Sequence, residues 1–354
     1  MKRQRSEGAE RAEIFESAEV AERVESAERA ERAEVAERAE RASHVANGQV
    51  GDWRLADHDF LSSFRLPDST VKVELLSSLH PYDRDARIEF REASHKYLVR
   101  NADGRRVEAL GSVTGLVARF HPAFDAQAVV DKMMRGRAWP RRSYVKSSGE
   151  AMSREEILTQ WRSNGEVQSA RGTLMHYHIE QFFNAATIAE PHSPEFQQFL
   201  AFERDFMRAR GLRPHRTEMS LFHCGLAIAG QCDLLCVDMT GRVVILDWKR
   251  SKEIRVSNRF GKMLTPLQHL DDCNYWLYGL QLNIYKYILT TEYGLDVSEM
   301  FLGVFHPTQS GPRAVQVPEM SREIDLVLEH LRAAGEADEP QPGAWAAFRG
   351  RPVC

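Results

Sequence analysis

No stretch of this sequence approaches the ~18 consecutive apolar residues that a membrane-spanning helix requires, so no membrane span is expected. The basic start, Met1-Lys2-Arg3-Gln4-Arg5, is followed by no apolar run and gives no sign of a secretory leader. Cysteine is scarce, 5 in 354 residues without paired spacing, which argues against a disulfide framework. GxGxxG turns and Walker A loops are missing, which removes nucleotide-driven chemistry from the leading readings. No solenoid period appears. An excess of one charge is absent too. The 47 Lys+Arg stand against 51 Asp+Glu, net −4, which excludes a polycation that coats nucleic acid by bulk phosphate neutralisation. What is present, 43% hydrophobic and 9% aromatic residues, suffices for a sizeable core. An intracellular protein without a membrane segment is expected.

The amino terminus stands apart. From Glu7 to Glu40 a glutamate falls at every third position, and Arg11, Arg23, Arg29, Arg32, Arg38 and Arg41 each follow a glutamate by four. Such pairs stack favourably on a helix, at roughly 0.2–0.5 kcal/mol each. A period of three slips against 3.6, however, so the alanines wind around the axis and leave no fixed apolar face. Residues 1–46 therefore read as an exposed helical or disordered Glu/Ala/Arg tail, with a protein partner as its one conceivable use. Residues 1–42 hold 9 basic and 12 acidic groups, leaving 38 against 39 in the body. Any nucleic-acid surface on the body must be a local patch.

Residues 47–85 read as a linker or loose cover, 86–335 as the main domain, and 336–354 as a flexible tail rich in proline. Strand-like runs flank a hairpin turn at Asn101-Ala102-Asp103-Gly104. Helices are expected near 125–135, 153–163, 169–185 and 194–210. Strands are expected at 215–223, 226–238 and 242–249, then a long helix at 274–291, strands near 300–306 and 313–317, and a helix near 321–334. Helices alternating with an antiparallel triplet and further strands give an α/β (α+β) core built on a mixed sheet.

Asp247-Trp248-Lys249 places a carboxylate and an ammonium on one face of a strand. That suits a metal-holding acid beside a lysine that orients water, although alone it equally describes a surface ion pair. Asp233 lies on the preceding strand. A three-residue loop at Asp238–Gly241 would set it opposite Asp247, whereas a two-residue loop would turn it away. Two facing carboxylates attract Mg²⁺ or Mn²⁺. His176 and Glu180 share a helix face upstream, and His176 could add a ligand with Glu180 supporting it. Gln281 and Tyr285 share another face downstream.

Taken in order, His176, Asp233, Asp247-x-Lys249 and Gln281-x-x-x-Tyr285 resemble the PD-(D/E)XK nuclease superfamily, and within it the RecB-type and mitochondrial genome-maintenance exonuclease branch. Glu218 and Gly230-Gln231-Cys232-Asp233 are similar to its second motif. The His95–Thr114 segment and Gln281–Tyr287 also resemble exonuclease-like proteins of large DNA viruses. The resemblance implies a restriction-endonuclease-like core and a metal-dependent DNA nuclease, the expected substrates being DNA ends or single strands in replication, repair or recombination. It implies that Asp233, Asp247, His176 and the Trp248 carbonyl hold Mg²⁺ or Mn²⁺. Lys249 would position the water, while Glu180, Glu218, Gln281 and Tyr285 support the site. Some members carry an iron–sulfur staple with one cysteine before the histidine helix. Here Cys224, Cys232, Cys236, Cys273 and Cys354 all follow His176, so no cluster is expected. Cys232 and Cys236 should share a strand face and pack as small hydrophobes.

Two basic stretches are candidate DNA contacts. Arg135, Arg137, Arg141, Arg142 and Lys146 are interleaved with Trp139 and Tyr144, a mixture that suits phosphate contact and base stacking. A second patch, Arg250, Lys252, Arg255, Arg259 and Lys262, continues out of the catalytic strand. Alternative readings are a structure-specific endonuclease and a nuclease-derived binding module without turnover.

Overall fold

The computed structural model describes residues 75–91, 94, 96–100, 106–108, 111–186, 188 and 191–335. The repeat tail, the Asn101–Gly104 turn and the C-terminal tail lie outside these residues. Two compact units are distinguished, one drawn from Val71–Pro122 and Met175–Cys354, the other from Ala123–Leu174.

The first unit opens with a short helix α1 (Leu75–Leu79), then a three-stranded antiparallel sheet of β1 (Ile88–Arg91), β2 (Lys96–Arg100) and β3 (Arg106–Glu108). Next come β4 (Gly111–Ser112) and α2 (Val113–Ala118), whose first turn is capped by the Ser112 hydroxyl accepting the Gly115 N–H at 2.8 Å. The second unit holds α3 (Ala126–Met134) and most of α4 (Arg154–Phe183), which ends in the first unit. Its small core gathers Val130, Met133, Tyr144, Ile157 and Trp161. The sequence pattern gives two helices here, 153–163 and 169–185. Instead α4 is continuous, and Val167, 2% exposed, carries the buried face through the gap.

The rest of the first unit is the main sheet and its covers. They are α5 (Pro194–Phe202), β5 (Arg213–His223), β6 (Ile228–Val237), β7 (Val243–Arg250), α6 (Asn274–Tyr293), β8 (Val297–Phe305), β9 (Arg313–Gln316) and α7 (Ser321–Ala333). The order is β4-β6-β7-β8-β9 with β5 paired along β6, a mixed sheet in which β4–β6 and β7–β8 are parallel. Regular α-helix stops at Phe202 rather than near residue 210. It widens into a π turn over Glu203–Met207 and tightens over Arg208–Arg210 before Gly211, whose φ of +66° ends it.

Alternation along β7 explains the two layers. Val243 and Ile245 face the core shared with α6 and α7, whereas Val244, Leu246 and Trp248 face the core shared with α5 and the end of α4. α7 supplies Ile324, Val327, Leu328 and Leu331, an i, i+3, i+4, i+7 stripe, to the first layer. No helix among the described residues is long and apolar enough to cross a membrane.

Candidate active site

The β6–β7 hairpin fixes the site. Asp238 Oδ1 accepts the backbone N–H groups of Thr240 at 2.8 Å and Arg242 at 3.0 Å, and Gly241 takes φ +81°. This is the three-residue turn. The ladder then runs from Val237↔Val243 to Leu234↔Leu246, and its next step sets Asp233 opposite Asp247. There the ladder ends. Asp233 Oδ2 instead accepts the Trp248 N–H at 2.7 Å, so a side chain replaces the backbone partner. β4 occupies the same edge of β6 only at Ile228 and Ala229. Between these two partners the sheet has a notch over residues 230–233.

Trp248 pins the far side of β7. It is 1% exposed among Phe199, Phe202 and Phe305, and its ring fills the space above Gly303, where a Cβ would lie 2.6 Å from Trp248 Cε3. With Trp248 held inward on one face, Asp247 and Lys249 occupy the other, under α6. Lys249 Nζ lies 2.8 Å from Asp247 Oδ2, donates to Gln281 Oε1 at 3.3 Å, and sits 4.4 Å from the Tyr278 ring centroid. Gln281 in turn donates to Tyr285 Oη at 3.3 Å. Tyr285 can approach β6 because Gly230 has no side chain: a Cβ there would meet Tyr285 Cε1 at 2.7 Å and Val113 Cγ2 at 2.9 Å.

From the other side α4 brings His176. Its Nδ1 lies 3.4 Å from Asp233 Oδ2 and 3.9 Å from Glu218 Oε1. One ligand atom from each of His176, Glu218 and Asp233 falls within 4.8 Å of the others. Glu218, which the sequence placed only in support, thus stands among the groups close enough to share one ion. It adopts φ +44° inside a strand, a left-handed conformation costing a non-glycine residue roughly 1–3 kcal/mol. The side-chain alternation of β6 breaks directly opposite. Cys232 packs toward α6 while Leu234 and Cys236 pack toward α5, with Leu235 back on the α6 side. Cys232 and Cys236 are therefore not on one face, contrary to a regular strand, although both are fully buried apolar fillers.

The electrostatics are those of a site crowded with negative charge. Burial pushes the Asp247 carboxyl up to about 6, and the neighbouring Asp233 charge adds to this against the pull of Lys249. Burial likewise lifts Glu218 to about 7, opposed by the nearby His176 imidazole. Burial would also raise Asp233, but His176, Lys249 and the Trp248 N–H outweigh it and hold the carboxyl below its usual range. Burial disfavours the His176 cation, yet Asp233 and then Glu218 hold the imidazole well above its ordinary value. Asp247 Oδ2 has no aligned hydrogen bond despite the short approach of Lys249, so that contact is a charge contact only. A buried carboxylate oxygen in this state, beside two more carboxylates and an imidazole, is a donor set that fits Mg²⁺ or Mn²⁺.

Other expected residues fall elsewhere. Glu180 sits one turn beyond His176, and its charge acts on Glu218. Arg250 is drawn inward: its Nε meets Glu195 Oε1 at 2.6 Å and its side chain is 7% exposed, so it is not a surface phosphate contact. Lys252 is partly buried, and its carbonyl accepts from Gln309 Nε2 at 3.1 Å. Arg135, Arg137, Arg141, Arg142 and Lys146 belong to the Ala123–Leu174 unit, where Lys146 pairs with Glu156 at 2.6 Å. Of the two aromatics among them, Tyr144 is built into the small core of that unit. Tyr144 is 4% exposed and accepts the Trp161 indole N–H at 3.0 Å, with Trp139 stacked on it. Two contributors escaped the sequence reading. The Tyr278 ring underlies Lys249. Tyr97 of β2 is close enough to Glu218 and Tyr285 to be coupled to both electrostatically. Neither has a sequence signal, since each arrives through packing.

Residues 194–352 match the PD-(D/E)XK nuclease superfamily, a span that contains Glu218, Asp233, Asp247, Lys249, Gln281 and Tyr285 but begins after His176. This part of the chain, a little under half of it, is thus similar to a nuclease superfamily domain. A structure from Eubacterium rectale, provisionally assigned as an exonuclease, is similar at 15% identity and a TM-score of 0.30, over 49% of this chain and 75% of that one. The structure of SSO0001 is similar at 14% identity and a TM-score of 0.26, over 64% of this chain and 72% of that one. No curated protein matches.

Proposed function

We propose that this protein is a divalent-metal-dependent deoxyribonuclease acting on DNA ends or single strands. The observation that carries the reading is the notch at Asp233, where three carboxylates, His176 and Lys249 converge without enough partners for their charge. His176, Glu218, Asp233 and Asp247 would hold the ion. A bound Mg²⁺ or Mn²⁺ supplies charge neutralisation at the scissile phosphate and a more acidic water. Lys249, fixed by Asp247, Gln281 and the Tyr278 face, orients the attacking water and compensates the charge that builds on the phosphate. Gln281 and Tyr285 hold Lys249 in place. The Trp248 N–H keeps Asp233 turned into the notch, and burial on the α6 side limits bulk water around Lys249.

The preference for ends rests on the RecB-like order of the motif residues rather than on a shape seen at the site. Mg²⁺- or Mn²⁺-dependent digestion of linear single- and double-stranded DNA, with closed circular DNA left intact, is the expected result. Cutting of closed circles at a comparable rate would favour the structure-specific endonuclease. Intact substrates of every kind would remove the nuclease reading.

A further inference from the structure

β7 and α6 carry the catalytic groups, and the 23 residues between them, 251–273, form no regular element. Structureless connections longer than ~12–15 residues inside a compact unit are uncommon and tend to be functional. This one is firmly built. Ile254, Met263, Leu267 and Leu270 are buried in the same core as Tyr285. At its start the Arg255 N–H donates to Asn274 Oδ1 at 2.8 Å, and Asn274 Nδ2 donates to the Glu253 carbonyl at 2.9 Å, tying the loop to the first turn of α6. Its tip is closed on itself. The Asn258 N–H donates to Asp271 Oδ2 at 3.0 Å, Asn258 Nδ2 to the Asp272 carbonyl at 2.7 Å, and the Asp272 N–H to the Gly261 carbonyl at 3.1 Å. Gly261 must be small, because a Cβ would come within 3.0 Å of Asn258 Nδ2 and 3.3 Å of the Asp272 side chain.

On this rigid tip Phe260 is 92% exposed, its N–H held by Asn258 Oδ1 at 3.0 Å. Burying a phenyl ring is worth about 1.5–3 kcal/mol, which the fold forgoes here. Arg259 beside it is exposed and forms no ion pair among the described residues, and Val256 is 60% exposed. The nearby acids are engaged: Asp271 pairs with Lys262, and Asp272 with His121. An unburied ring next to an unneutralised guanidinium is the pairing that stacks on a base while holding the adjacent phosphate. We propose that Phe260 and Arg259 bind the unpaired bases of a DNA strand delivered to the site, Phe260 by stacking and Arg259 by phosphate contact.

The proposal rests on the nuclease reading, and its test separates the two. The full chain is bound, with Ca²⁺ in place of the catalytic ion, to single-stranded and to blunt duplex oligonucleotides, and cleavage is followed separately with Mn²⁺. Stacking on one base is worth ~1–3 kcal/mol, so Phe260→Ala should weaken single-strand binding about 5- to 150-fold and blunt-duplex binding much less. Phe260→Trp should restore it and Phe260→Leu should not, because leucine keeps the apolar bulk without a π face. An unchanged melting temperature is expected for all three, the ring having almost no buried contact. If wild type cleaves DNA and Phe260→Ala binds single strands as wild type does, this proposal is overturned and the nuclease reading stands. Equal rescue by Leu overturns it too, pointing to an apolar docking surface. If wild type neither binds nor cleaves, both fall.

Discussion

Asp247→Asn should make the metal-free protein more stable while abolishing its activity. Asp247 is 1% exposed, and its carboxyl is raised from 3.8 to about 6, first by burial and then by Asp233. A carboxyl with a raised folded pKa binds its proton more tightly in the folded state. Its ionisation therefore costs nothing below about 4, costs progressively more between about 4 and 6, and costs in full above about 6. A rise of two pKa units corresponds to a ceiling near 3 kcal/mol at ~1.36 kcal/mol per unit. That net rise already contains the attraction of Lys249, and what offsets part of the gain is the burial of an asparagine amide with too few hydrogen-bond partners. About 1–2 kcal/mol should remain, several degrees of melting temperature for a domain of this size. The assay is thermal or urea unfolding in EDTA at pH 7.5 and at pH 4.5. The asparagine variant should be the more stable at pH 7.5, with the advantage shrinking at pH 4.5. Mn²⁺ at 100 times its Kd should add about 2.7 kcal/mol to wild type and less to the variant. An asparagine variant less stable than wild type in EDTA at pH 7.5, or an advantage independent of pH, would refute the reasoning.

Two further perturbations follow from the same geometry. Gly230→Ala inserts a Cβ 2.7 Å from the Tyr285 ring and should cost about 1–3 kcal/mol in urea unfolding. Cleavage should fall further than that destabilisation explains, because Tyr285 braces Gln281 and through it Lys249, and a fully active variant would show that this chain of contacts does not position the lysine. At Glu218, φ is +44°, so Glu218→Gly should be more stable than Glu218→Ala by about 1 kcal/mol. Both should bind Mn²⁺ more weakly than wild type by calorimetry, and unchanged affinity would remove Glu218 from the ion's surroundings.

Much of the site was legible because its strands are strongly patterned. The sequence leaves both a two- and a three-residue loop open at Asp238–Gly241, and with the three-residue one the pairing of Asp233 with Asp247 is arithmetic. Gln281 and Tyr285 follow from helix spacing. What could not be read depends on contacts distant in sequence. Glu218 reads from the sequence only as a supporting residue, and its place beside His176 depends on the kink opposite Asp233. Arg250 reads as one more base after Lys249, yet Glu195, 55 residues earlier, draws it into the interior. Trp139 and Tyr144 have the composition of a stacking surface, but Trp161 makes Tyr144 part of a core. The patterns at 153–163 and 169–185 suggest two helices, and burial of Val167 between them accompanies a single one.

The central claim is that Lys249 serves the chemistry while the acids and His176 serve the ion. Lys249→Ala separates the two roles in one pair of measurements: Mn²⁺ binding by calorimetry, and cleavage of end-labelled linear DNA at saturating Mn²⁺. The account predicts near wild-type Mn²⁺ affinity with cleavage reduced by roughly 10²-fold or more. Cleavage by Lys249→Ala at the wild-type rate would contradict it.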